Sequence, residues 1–178
     1  MANHSILIWF FLLPLIVGCG GKSDSVVWSH ARDAISLEIV ADESLNLYAG
    51  EPHTLALCVH QLSDPDKFGE LSGTPSGVLA LLKCDSFDAS VSGYRRIVAQ
   101  PGEQKILLLD RAENARFIGI SAGYYNVNPA QATRLFEIPI DEHKQGYIPF
   151  FRDTVRQPGR LKIDLLLDPQ EIQDVGGD

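Results

Sequence analysis

Apolar and polar positions alternate strictly over Ile35-Ser-Leu-Glu-Ile-Val40, which predicts a first strand with Ile35, Leu37 and Ile39 on the buried face. After a long turn-rich stretch, a second strand runs from Thr54 to Leu62. Further strands are predicted over Ser92–Ala99, Gln104–Asp110, Ala115–Tyr125, Thr133–Ile138 and Arg160–Leu167. Pro101-Gly102 and Asn126–Pro129 supply turn chemistry between them. Short strands punctuated at this spacing read as a two-sheet antiparallel β-sandwich, filling residues 35–178.

The second strand is apolar on both faces. Leu55, Leu57 and Val59 point one way, while Ala56, Cys58, His60 and Leu62 point the other. If the first set lines the sandwich core, the second needs cover. The stretch from Pro65 to Lys83 breaks the strand pattern and is the natural lid: Phe68 and Leu71 fit one helical turn, and Ser76 is placed to cap a helix carrying Val78, Leu79, Leu81 and Leu82. This helical insertion, around 65–84, ends at Cys84 and would bring that residue towards Cys58. A disulfide between Cys58 and Cys84 is therefore favoured, with two reduced, buried thiols as the alternative.

The N-terminus has a different pattern. Ile6 to Val17 is an uncharged apolar run. Its twelve residues would reach only about 18 Å as a helix, short of the ~30 Å needed to cross a bilayer, so it reads as the h-region of a secretory signal. Gly18-Cys19 follows, which resembles a bacterial lipobox. That resemblance implies a signal peptide over 1–18 and a mature chain beginning at Cys19, its thiol carrying diacylglycerol and its amine a further acyl chain. Each buried CH₂ adds ~0.8 kcal/mol, and two chains make anchoring stable. Gly20 rather than aspartate after the cysteine implies sorting to the outer membrane, with the protein facing the periplasm. Residues 19–34 are small and polar and read as a flexible tether, shortened if Trp28 packs on the domain.

The chain has 178 residues, enough for one domain with a sizeable core. Its 15 Lys+Arg against 23 Asp+Glu give a net charge of −8, which argues against nucleic-acid binding and against electrostatic docking on anionic lipid. A periplasmic location permits disulfides.

Candidate chemistry is sparse. Gly119-Ile-Ser121-Ala-Gly123 spells G-x-S-x-G, and Asp141 and His143 follow in the order of a hydrolase triad. The motif needs a strand, a sharp elbow and a helix on a parallel sheet, whereas this pentapeptide reads as strand throughout. Cys58, His60 and Cys84, with His53 nearby, are possible zinc ligands but lack paired close spacings. Asp64-Pro-Asp66 reads as carboxylates at a turn. No catalytic residue, cofactor or metal is expected.

Two stretches read as contact surface. Ala41 to His53 is long for a connection between neighbouring strands and carries Leu45, Leu47 and Tyr48 among polar residues. Either it projects towards a partner, or Leu45 and Leu47 extend the first strand or fold back onto the sandwich. Gly146-Tyr-Ile-Pro-Phe-Phe151 is apolar and reads as a plug for the open end of the sandwich, or as a binding patch.

Taken in order, the lipobox at Cys19, Leu45-Asn46, Gly50-Glu-Pro52, the Leu57–Leu62 strand with Gln61-Leu62, the Phe68 insertion, Pro101-Gly102-Glu103 and the Phe117–Tyr125 strand make the whole mature chain similar to the TssJ (SciN) family, outer-membrane lipoproteins of the type VI secretion membrane complex. The resemblance implies a transthyretin-like sandwich with a small helical elaboration. It also implies that the loop between the first two strands binds the periplasmic C-terminal domain of the inner-membrane protein TssM. TssL would sit beside TssM, with TssD-type tube machinery beyond. On this reading Leu45, Asn46, Leu47, Tyr48, Ala49, Gly50 and Glu51 are the partner-binding residues, Asn46 to Glu51 forming the contact itself. The alternative is a periplasmic lipoprotein that binds a small ligand or peptide in a sandwich cleft.

Overall fold

The computed structural model describes residues 26–148 and 151–174. The predicted signal peptide, Cys19 and the start of the predicted tether lie outside them. Two four-stranded sheets face one another. In the first, β1 (Ala31–Ala41) lies between β4 (Gln104–Arg111) and β9 (Leu161–Leu167), and β10 (Ile172–Asp174) closes the edge beyond β9. The second sheet is ordered β3 (Val91–Ala99), β2 (Leu55–Leu62), β5 (Phe117–Ala122), β6 (Thr133–Glu137). The pairing is antiparallel except between β1 and β9, which run parallel from Ile35 opposite Leu161 to Ala41 opposite Leu167.

The core is the alternation made solid. Ile35, Leu37 and Ile39 of β1 meet Leu55, Leu57 and Val59 of β2, Ile118 and Ile120 of β5, and Ile163 and Leu165 of β9, all buried. Each such side chain withdrawn from water contributes ~1.5–3 kcal/mol.

The sandwich begins earlier than the sequence predicts. Trp28 is buried between Arg111 and Arg116, each guanidinium 5.9 Å from the ring centre, and its carbonyl accepts from the Asn114 amide at 2.7 Å. With Trp28 docked, β1 starts at Ala31 rather than at Ile35. A register shift between Ala31 and Ile35, with Asp33 at φ +49°, interrupts the alternation there.

The other face of β2 is covered as expected. Helices α1 (Asp66–Ser72) and α2 (Pro75–Leu81) pack over it, and Leu62, Phe68 and Leu81 form a second apolar cluster with Leu71, Phe87, Val91 and Phe117. Thr74, not Ser76, caps α2: its Oγ1 accepts from the Gly77 amide at 3.1 Å, and Pro75 occupies the first helical position. The Cys58–Cys84 disulfide ties the end of the lid to β2, with Cα atoms 5.5 Å apart.

The lid fits so closely at Gly119 that a β-carbon there would lie 2.5 Å from the Phe68 ring. Gly119→Ala should therefore destabilise the domain by about 1–3 kcal/mol. Thermal melts showing an unchanged midpoint would contradict this packing.

A short helix α3 (Pro129–Ala132) precedes β6, and a two-stranded ribbon, β7 (Ile140–Ile148) and β8 (Phe151–Pro158), follows it. The expected plug at 146–151 includes 149–150, outside the described residues. The flanking backbone belongs to this ribbon, which pairs with itself from Ile140 opposite Pro158 to Ile148 opposite Phe151.

Candidate docking surface

The loop from β1 to β2 is anchored before it projects. Asp42 donates its amide to the Leu167 carbonyl at 2.9 Å, and Leu47 donates to Pro169 at 3.1 Å, so the loop leans on the segment after β9. Leu45 is fully buried in the main core. Asn46 is also inside, with φ +50°, a left-handed conformation that asparagine tolerates. Its Nδ2 donates to the Thr54 carbonyl at 3.0 Å and its Oδ1 accepts from the Tyr125 amide at 2.9 Å. Leu45 and Asn46 were expected among the partner-binding side chains. The structure turns both inward, because an apolar side chain gains by joining the core and the amide satisfies buried backbone groups. They hold the loop, and Leu47 is half-buried beside them.

The tip is Tyr48 to Glu51, all exposed. Tyr48 and Glu51 exchange both backbone hydrogen bonds at 3.0 Å across Ala49 (φ +52°) and Gly50 (φ +86°). Two consecutive positive φ values make a tight two-residue turn of the I′ kind, where glycine is favoured at the second position. The Tyr48 ring stacks on Tyr125 with centroids 4.4 Å apart and planes 18° off parallel, and His53 meets Tyr125 edge-on at 5.0 Å. Both tyrosines remain 53% exposed, so this aromatic platform still faces water. Beside it lies a shallow hollow bordered by Tyr125, Val127, Leu79 and Val98, the last two also exposed.

Burial, together with the charges of Asp42 and Glu171, raises the Asp168 carboxyl above its ordinary pKa. The space between the sheets, by contrast, is filled by core side chains.

The sequence marks Leu79 as one of the lid helix's apolar residues, although it is exposed, and singles out neither Tyr125 nor Val98. Tyr125 was read as the end of a strand, but β5 stops at Ala122, and the dipeptide Tyr124-Tyr125 ahead of a turn was the available signal. Tyr124 is buried and donates its hydroxyl to the Glu171 carbonyl at 2.7 Å, which leaves Tyr125 outside.

The other candidates disperse. Ser121 is buried mid-strand in β5, its hydroxyl without a partner among the described residues, whereas Asp141 and His143 are exposed on β7. Cys58 and Cys84 are joined to each other, so their sulfurs are not free thiolates. Beside them His60 is fully buried, its Nε2 3.6 Å from Cys58 Sγ. Burial lowers its pKa, with Asp85 opposing the shift, and this favours the neutral imidazole. His53 Nδ1 lies 2.9 Å from the Glu51 carbonyl, within the loop. Asp64 accepts from the Asp66 amide at 2.9 Å and so shapes the start of α1. Among the described residues no cluster of three or more His, Cys, Asp or Glu side chains is arranged to hold a metal.

Comparison with solved structures returns the same fold. The T6SS lipoprotein TssJ1 from Pseudomonas aeruginosa aligns with a TM-score of 0.59 at 18% identity, over 84% of this chain and 97% of that one. Lip of Serratia marcescens, a membrane-bound component of the type VI secretion system, aligns with a TM-score of 0.59 at 18% identity, over 84% and 99%. A chain of the structure described as the T6SS protein TssM C-terminal domain (869–1107) from EAEC aligns with a TM-score of 0.56 at 16% identity, over 80% and 98%. No curated protein matches the sequence significantly. The model of the T6SS-SciN family, described as type VI secretion lipoprotein, VasD, EvfM, TssJ, VC_A0113, matches residues 33–169. A β-sandwich with a lidded second strand and a match across most of its length thus places this chain in the T6SS-SciN family of type VI secretion lipoproteins.

Proposed function

We propose that this protein is a non-enzymatic docking block of the type VI secretion membrane complex. It is acylated at Cys19, held in the outer membrane facing the periplasm, and bound to the periplasmic C-terminal domain of a TssM protein through the exposed tip of its first loop, within a TssJ–TssL–TssM assembly. The family supports the lipoprotein and secretion parts of this reading, and a structure described by TssM's C-terminal domain contains a chain of this fold.

The observation that carries it is polarity. The chain enters at Trp28 and Ser29, and β1 then runs eleven residues to the docking loop, about 35 Å at the rise of an extended strand. An anchor upstream of Trp28 and a binding tip beyond Ala41 therefore occupy opposite poles. Tyr48, Ala49, Gly50 and Glu51 make the contact, with Leu47 at its edge. Tethering near the partner raises effective concentration, so a modest pairwise affinity suffices.

Capture of a purified TssM C-terminal domain by the mature domain tests the docking, and a domain that leaves it in solution overturns the proposal. Cys19→Ser tests the anchor: the variant should move from the membrane to the soluble fraction, and unchanged fractionation would refute acylation as the attachment.

A further inference from the structure

The lid does not cover the whole outer face of the second sheet. On β2 that face is made by Ala56, Cys58, His60 and Leu62. Cys58, His60 and Leu62 are buried, whereas Ala56 is only half-buried. Its cross-strand partner on β3, Val98, is 49% exposed. Cover stops at Cys58, where the disulfide fixes the end of the lid. Past that point the face lies open, framed by Leu79 of α2, Val98 of β3, and Tyr125 and Val127 of the loop between β5 and α3. The hollow so formed has a volume of about 560 Å³.

Leu79 is the odd residue of its helix. Val78 and Leu81 are packed away, but Leu79 is 57% exposed. Singly, an exposed apolar side chain is ordinary. Here Leu79 and Val98 share one concave surface with Tyr125, which carries the stacked Tyr48 ring, and a contiguous patch of this kind marks a contact site.

The hollow suits an apolar guest. No charged residue lines it. The polar groups of its wall are spent on one another: Asn46 Nδ2 donates to the Thr54 carbonyl, the Tyr125 amide donates to Asn46 Oδ1, and the Gly123 amide donates to the Ala56 carbonyl at 2.8 Å. Tyr124 turns its hydroxyl away, to the Glu171 carbonyl. A polar guest would lose water here and gain no partner, while an apolar one gains by the area it buries.

Tyr125 belongs to both surfaces, as the ring on which Tyr48 stacks and as a wall of the hollow. A partner that grips the loop tip is thereby brought alongside the hollow. We infer that the docking surface continues from the tip onto the lid, and that the hollow between Leu79, Val98 and Tyr125 receives one large apolar side chain of the TssM C-terminal domain. This rests on the docking reading above and gives the lid a part in it. Leu79 is held in place with α2, by the Cys58–Cys84 bond and by Arg96, whose Nη2 donates to the Leu82 and Lys83 carbonyls at 3.0 and 2.6 Å. An anchor seated in a pocket and ringed by contacts that exclude water carries a large share of an interface's affinity.

The test titrates a purified TssM C-terminal domain into the full mature chain in detergent, followed by calorimetry. Leu79→Arg and Val98→Arg should each weaken binding about 30-fold. Their melting midpoints should stay within a few degrees of the parent, since both side chains stand largely in water. Ile106→Arg, the same change at an exposed residue of β4 in the other sheet, should bind as the parent does. Parent-like binding by both hollow variants, beside weakened binding by Tyr48→Glu, overturns the hollow and leaves the tip standing. Equal weakening by Ile106→Arg also overturns it, as an effect of added charge alone. Self-association of the free chain that Leu79→Arg abolishes overturns it in favour of a second copy. A parent chain that does not bind overturns both readings.

Discussion

Replacing Tyr48 with glutamate will weaken capture of the TssM C-terminal domain about 100-fold while leaving the sandwich folded. Tyrosines at the centre of protein interfaces commonly cost 2–4 kcal/mol when lost, and a buried carboxylate adds a desolvation penalty. The ring is half-exposed and its main contact within the chain is the stack on Tyr125, worth ~0.5–1.5 kcal/mol. The melting midpoint should therefore fall by only a few degrees. Pairing the change with Leu47→Glu removes the remaining apolar edge of the tip. Calorimetric titration decides the matter: an unchanged dissociation constant for the double variant moves the contact away from this loop. A large fall in melting temperature would instead mean that Tyr48 belongs to the fold.

The second large effect concerns the lid. Substituting both Cys58 and Cys84 with alanine removes a crosslink between residues 26 apart, a loss of about 3.5 kcal/mol on the chain-entropy model. For a domain of this size that corresponds to a fall in melting temperature of roughly 10 °C. The fall should coincide with exposure of the cluster around Phe68, since the disulfide holds the end of the lid. Reductant should reproduce it in the native chain and leave the double variant untouched. Unfolded, unreduced protein should present neither Cys58 nor Cys84 to a thiol label, and two reactive thiols would refute the bridge in solution.

Much of this architecture was legible because alternation is a local signal. Ile35, Leu37 and Ile39 announced β1, and the double apolar face of β2 demanded a cover that the helices at 66–81 supply. The parallel pairing of β1 with β9 was not legible, since an alternating strand carries the same pattern whichever way its neighbour runs. The ribbon was missed because both its faces are wet: Asp141 to Gln145 has no apolar side to give a period of two. Cap choice at α2 turned on Pro75, whose position one residue after Thr74 marks the helix start better than a second hydroxyl does. At the candidate docking surface the sequence marks the long β1–β2 loop but not which of its side chains face out. That depends on Asn46 reaching Tyr125, 79 residues away, and no local pattern reports so distant a bond. Tyr125 was invisible for the same reason, as half of a stack whose other half lies far along the chain.

The strand that joins the two poles is bonded along most of its length on both sides, to β4 and to β9. If a secretion machine pulls on the loop while the acyl chains hold the other end, tension runs along β1 itself. Its covalent backbone, already extended, then carries the load, and the ladders to β4 and β9 are neither sheared nor peeled, because neither neighbour is itself pulled. The sandwich then sits beside the line of force, and its core is spared the tension that passes from anchor to loop.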